Sequence, residues 1–214
     1  MRFLPALLAL PLLAAPAGAQ AQAREQVVKR AGSALTVDAP AFSGRGVYVT
    51  QIGSDNAAAV RQSAARARAD LVQRGDANQA YVEQRGGGSG YTHVVQSGDG
   101  NRATATQDGL GDNILHLSQT GAGNVASVGQ NAAGAALNGA AIAQNGSGNI
   151  LSLNQAGSDN RAALTQNGDG NRMSAVQNGG GNRLAWEQQG NGLSDLRIVQ
   201  NGGQALYISQ TGGR

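Results

Sequence analysis

From about residue 45 onward the chain repeats one arrangement of apolar and polar positions, best seen by counting from a recurrent Gln. The residue two places before that Gln is apolar in every unit, as in Val49, Val60, Leu71, Val82, Leu117, Val128, Ile142, Leu153, Leu164, Trp186, Ile198 and Ile208. The residue four places before it is small or apolar, as in Ala58, Ala103, Leu115, Leu151, Ala162, Met173 and Leu184, with Thr92 the exception. The Gln residues are Gln51, Gln62, Gln73, Gln84, Gln96, Gln107, Gln119, Gln130, Gln144, Gln155, Gln166, Gln177, Gln188, Gln200 and Gln210: fifteen units, spaced by 11 in most intervals. Six places before the Gln stands Asn in ten units: Asn56, Asn78, Asn101, Asn113, Asn124, Asn138, Asn149, Asn160, Asn171 and Asn182. Two places after it stands Gly in thirteen, among them Gly53, Gly75, Gly98, Gly121, Gly146, Gly157, Gly168 and Gly179.

The marked positions are every second residue, so Asn, a small residue, an aliphatic and Gln share one face of a strand. The residues between them, such as Arg161, Ala163 and Thr165, are mixed and belong outside. Runs such as Asn167-Gly168-Asp169-Gly170 join the strands; Gly, Asn and Asp tolerate positive φ and make tight turns. The pattern predicts an all-β protein: a two-sheet parallel β-solenoid (β-helix) of about fifteen half-rung strands with amyloid-like cross-β stacking. Unit n stacks in register on unit n+2, and seven and a half rungs at roughly 4.7–4.9 Å give a stack on the order of 35 Å tall. Stacked amides bond to the copies above and below, which explains why a buried Gln is tolerated in every unit. The longest insertion between units falls in Asn131–Leu137.

Composition sharpens this picture at three points. The chain has no cysteine, and Phe3, Phe42 and Trp186 are its only Phe or Trp residues. Neither disulfides nor a core of large side chains can hold it together. With so little large apolar area, a chain that is disordered before assembly is expected. Residues 1–23 read as a signal peptide: Arg2, an apolar run from Phe3 to Ala15, then the small-x-small sites ending at Ala19 and Ala23, where cleavage is expected. The run is short of the roughly 20 residues a membrane span needs. Removing Arg2 leaves 15 basic against 13 acidic residues, scattered rather than blocked, which gives no support for nucleic-acid binding. Residues 24–44 are a non-repeat N-terminal segment and 45–214 the repeat domain.

The unit Gln-x-Gly-x-x-Asn-x-Ala-x-x-x-Gln occurs whole five times, for example at Gln51-Gly53-Asn56-Ala58-Gln62, Gln96-Gly98-Asn101-Ala103-Gln107 and Gln155-Gly157-Asn160-Ala162-Gln166. It resembles the curlin repeat of curli fibre subunits over residues 45–214. Leu151, Met173 and Leu184 depart from the family's Ala, and Ser at the repeat start occurs only as Ser194. The resemblance implies a non-enzymatic subunit of an extracellular amyloid fibre on the bacterial surface, supporting adhesion and biofilm matrix. Implied partners are the chain itself, a curli nucleator, an outer-membrane export pore, and a matrix polysaccharide or host surface. In the family a short segment after the signal addresses the pore; whether residues 24–44 do so or cap the first rung is left open, as is the role of major subunit or minor nucleator.

No catalytic constellation, cofactor motif or metal-ligand spacing is found. His93 and His116 fall on the outward face at equivalent positions two units apart, most simply as solvated residues. Arg161 and Arg183 share an outward column in the same way. Asp99 and Asp169 in Gly-Asp-Gly turns are too few for a calcium-binding repeat. The competing class is a monomeric β-solenoid that binds ice or carbohydrate, which wants an outward row of one residue type. The last strand, Gln204–Gln210, carries no charge or Pro, so its edge is expected to be open to the first rung of a second copy near Val47–Gln51. An odd unit count puts first and last units in the same sheet, so continuous stacking requires a half-rung offset there. Lateral association through Ile114, Val125 and Ile150 is the alternative contact.

Overall fold

The computed structural model describes residues 26–30, 35, 37, 38, 41 and 44–212. The signal peptide expected at 1–23 lies outside the described residues. In chain order the strands are β1 (Gln26–Arg30), β2 (Arg45–Ile52), β3 (Ala57–Gln62), β4 (Arg66–Arg74), β5 (Gln79–Gln84), β6 (Ser89–Ser97), β7 (Arg102–Gly109) and β8 (Asp112–Thr120). There follow β9 (Val125–Ala132), β10 (Leu137–Asn145), β11 (Ile150–Ser158), β12 (Arg161–Asn167), β13 (Arg172–Gly180), β14 (Arg183–Gln189), β15 (Leu196–Asn201) and β16 (Ala205–Thr211).

The fifteen strands β2–β16 form a two-sheet parallel β-solenoid of about seven turns, with no helix among the described residues. Even-numbered strands build the larger sheet and odd-numbered strands from β3 the smaller one. Each strand pairs with the strand two before it, Gln opposite Gln, as in Gln144↔Gln166 and Gln155↔Gln177. Side chains alternate across the sheet, so this register places every marked residue over its own kind. Leu115, Leu117, Leu164, Leu184 and Trp186 from one sheet meet Val82, Leu151, Leu153 and Met173 from the other, all at most 2 % exposed. Buried amides occupy the space that large side chains do not, so the core closes on small and medium residues.

Turn glycines make the tight corners possible. Gly98 has φ +103°, and a Cβ there would run into the carbonyl of Gly121 on the next rung, so stacking as well as backbone conformation demands Gly.

Two features depart from expectation, and both involve the N-terminal segment. β1 pairs antiparallel with β16, from Gln26↔Thr211 to Arg30↔Tyr207, so the edge expected to be open is covered in the larger sheet. The segment caps the last rung, not the first. Further on, Val37 is 4 % exposed and packs with Tyr91 and Ile114 on the outer face of the larger sheet. The Asp38 carbonyl oxygen accepts from His116 Nε2 at 2.7 Å. Val37 and Asp38 thus lie against the outer face of the larger sheet, away from its ends. Val37 also buries Ile114, and Ile114 lies in the larger sheet whereas Val125 and Ile150 lie in the smaller, so these three form no common patch.

Candidate functional site: the amide ladders and the solenoid ends

The Gln residues form two continuous hydrogen-bonded columns. In the larger sheet the Nε2 of Gln51 donates to the Oε1 of Gln73 at 2.6 Å, and the series continues through Gln96, Gln119, Gln144, Gln166 and Gln188 to Gln210 at 2.7–3.0 Å. In the smaller sheet Gln62, Gln84, Gln107, Gln130, Gln155, Gln177 and Gln200 are joined likewise at 2.7–2.9 Å. From Gln73 onward these side chains are at most 2 % exposed.

The second N–H of each amide is also used, and this was not legible in the repeat. Gln155 Nε2 donates across the core to Gly139 O at 3.0 Å, and Gln166 Nε2 to Ile150 O at 3.3 Å. The same bond, to a residue 16 to 19 positions earlier, recurs from Gln62 to Gln210. Each Gln thus ties its own sheet rung to rung and staples it to the opposite sheet. This satisfies both donors of a buried amide, the condition for burying it without loss.

The Asn columns brace the turns. Asn101 donates to Gly121 O at 2.8 Å, while its Oδ1 accepts from both the backbone N and the Nδ2 of Asn124 at 3.1 Å. Asn56, Asn78, Asn101, Asn124, Asn149 and Asn171 follow one another in this way along one side. On the other side Asn138, Asn160 and Asn182 do the same. Asn113 is the exception: its Oδ1 is buried with no partner among the described residues, where the longest turn leads into β10. Asp76, Asp99 and Asp169 accept a turn N–H from the rung before, at Ser54, Asp76 and Ser147 respectively. The Ser54 N–H holds the Asp76 carboxyl below its usual range. These carboxylates serve the turn backbone, and no three metal-ligating side chains cluster among the described residues.

All the Gln–Gln bonds point the same way, from lower to higher residue number. The two ends of the solenoid are therefore unlike. At the β2–β3 end stand the Oε1 atoms of Gln51 and Gln62, to which no Gln of a preceding rung donates. At the β15–β16 end the columns terminate in Gln200, whose Nε2 donates to Arg183 O and Gln204 O, and in Gln210, whose Oε1 also accepts from Trp186 Nε1 at 2.7 Å. The inward Val47 and Val49 are 48 % and 44 % exposed at the first rung for want of a neighbour below them.

The outer face of the larger sheet carries Arg68 and Asp70, paired at 3.0 Å, with the Arg68 guanidinium 4.8 Å over the Tyr48 ring. His93 and His116 stand in register on β6 and β8, ring centroids 6.2 Å apart. They are not the equivalent solvated pair the spacing suggests. His116 is anchored to the Asp38 carbonyl, and burial outweighs nearby Asp70 to push the His93 imidazole below its usual range. Arg161 and Arg183 also share a column, but both reach Asp159, so the column is an ion-paired bridge over two rungs. Asp159 occupies a variable position of the repeat's turn, with φ +56°, and nothing in the periodicity marks it. No family model, no curated protein and no solved structure matches this chain.

Proposed function

We propose that the chain is a non-enzymatic structural subunit of a secreted, curli-type amyloid fibre on a bacterial surface, joined end to end by continued strand stacking, in support of adhesion and biofilm matrix. The observation that carries this reading is the one-way amide ladder with unlike ends. Every Gln–Gln bond runs from Nε2 to the Oε1 of the next rung, so copies stacked head to tail keep that sense across the joint, with Gln200 Nε2 exchanging its bond to Gln204 O for the Oε1 of an incoming Gln, and two like ends facing each other do not. The half-exposed Val47 and Val49 add apolar surface that stacking would bury. The repeat resemblance adds the nucleator, the export pore and a matrix or host surface as partners.

The purified chain, diluted from denaturant, converts after a lag into thioflavin-T-positive fibres with reflections near about 4.7 and 10 Å. A chain that stays monomeric and folded for days at micromolar concentration would refute the reading. That outcome favours the monomeric β-solenoid that binds a carbohydrate or ice surface, a reading supported by one observation: β1 already covers the β16 edge.

A further inference from the structure

We propose that successive subunits meet through a half-turn joint: β2 and β3 of the incoming copy add to β15 and β16 of the copy before it. Each subunit is thereby rotated half a turn about the solenoid axis relative to its neighbours. This rests on the fibre reading above and specifies the interface that reading needs.

The larger sheet ends in β2 and β16, the smaller in β3 and β15, so the repeat contributes eight strands to one and seven to the other. Every strand of the solenoid lies on the strand two before it. A strand that continues this rule after β16 belongs on β15, in the smaller sheet. If β2 of the next copy instead lay on β16, the smaller sheet would lack one strand between β15 and the next β3. Two facing rows of backbone groups would then sit inside the joint without partners, which folded proteins avoid.

The surface chemistry agrees. Six large hydrophobic residues are exposed among the described ones. Four are on β2 (Val47 48 %, Tyr48 59 %, Val49 44 %, Ile52 57 %) and one is on β15 (Val199 45 %); none is on β16. The half-turn joint brings β2 and β15 together. It sets Val47 and Val49 against Leu196 and Ile198 in the core row. It also places the exposed Arg197 beside Tyr48, on the side away from Arg68. Gln51 then stands over Gln200 and Gln62 over Gln210, so both amide columns run on through the joint.

β1 fits the same scheme as a placeholder. It occupies the β16 edge antiparallel, with Val27 opposite Gln210, so no Gln stands across from the end of that column. Among the described residues β15 has no strand partner beyond β13. The incoming β2 docks on β15, and β3 then exchanges for β1 on β16, putting Gln62 where Val27 had been.

The test uses cysteine pairs on outward positions, one place before the Gln of each strand. In the half-turn joint Val199 and Thr50 of the next copy are about 5 Å apart, whereas Ser209 and Thr50 lie on opposite sheets, more than about 10 Å apart with the core between them. Fibres of the chain carrying V199C and T50C, treated with a two-carbon bis-methanethiosulfonate and dissolved in denaturant, yield covalent multimers. They do so at least ten-fold more than fibres carrying S209C and T50C. Within one chain Thr50 is six and a half rungs from Val199 and seven from Ser209, and neither pair reacts together. The reverse preference, equal yields or no multimers from either pair overturns the half-turn joint while fibres that stain with thioflavin-T keep the fibre reading intact. Absence of wild-type fibres overturns both. The wild-type fibre supplies a measurement free of substitutions: its true axial repeat by electron cryomicroscopy is two subunits, about 72 Å, and a repeat of about 36 Å overturns the joint.

Discussion

Replacing Gln155 by Ala in the middle of the smaller sheet removes three hydrogen bonds at once. Gln130 Nε2 loses its acceptor at 2.8 Å, Gln177 Oε1 loses its donor at 2.7 Å, and Gly139 O loses the staple across the core at 3.0 Å. Gln130 keeps its bond to Ile114 O, so one of its N–H groups remains satisfied. Two buried amide groups are left wanting, each at roughly 1–3 kcal/mol, giving a loss of about 2–6 kcal/mol before any term for the vacated volume. That is a large share of the 5–15 kcal/mol typical of a domain's stability. Asn154, one residue away, points outward and is exposed, so Asn154→Ala is expected to change stability by no more than about 0.5 kcal/mol. Gln51→Ala at the first rung falls between, because Gln51 is exposed and makes one ladder bond. The assay is the guanidinium midpoint of the folded chain, followed by the rate at which each variant elongates wild-type seeds. The order Gln155→Ala, Gln51→Ala, Asn154→Ala, from most to least damaging, is expected. Equal midpoints for Gln155→Ala and Asn154→Ala would refute a stabilising ladder.

Four further outcomes follow from the same geometry. Leu153→Asp puts an unpaired carboxylate into a core position that is 1 % exposed and abolishes folding and assembly, whereas Ala163→Asp on the outer face is mild; circular dichroism and seeding compare them, and similar damage from both contradicts the inward–outward assignment. Gly98→Ala is strained by its positive φ and by the Gly121 carbonyl, so it lowers the denaturant midpoint more than Gly100→Ala, whose Cβ meets open space; the reverse order is inconsistent with rung stacking. Deleting residues 24–30 uncovers the β16 edge and shortens the assembly lag several-fold; an unchanged or longer lag removes β1 as a brake. The depressed His93 pKa means that the folded chain binds this proton more weakly than the unfolded one. Its contribution is therefore complete above the unfolded value of about 6.5 and is lost as pH falls through it, levelling off below the folded pKa. His93→Gln should flatten the midpoint-versus-pH curve below about pH 6.5, with wild-type and variant curves of equal slope counting against the assignment.

The sequence by itself determined the rung. A period of two within each unit and of about eleven between units admits one economical arrangement: Leu153, Gln155 and their counterparts inward, Ser152 and Asn154 outward, Gly at the corners. Because every unit repeats the same chemistry, neighbouring rungs read each other's register, and local pattern becomes global fold. Tertiary structure decided everything that breaks that symmetry. The bond from each Gln to the opposite sheet depends on how far apart the two sheets stand, which no spacing encodes. Asp159 joins Arg161 and Arg183 because turn geometry lifts it over two rungs. β1 finds β16 across almost the whole length of the chain, and Val37 finds Ile114 and Tyr91, through single contacts that recur nowhere else. Periodicity can reveal only interactions made many times; a cap, a clasp and a joint are each made once, and they depend on which edges and faces the finished stack leaves uncovered.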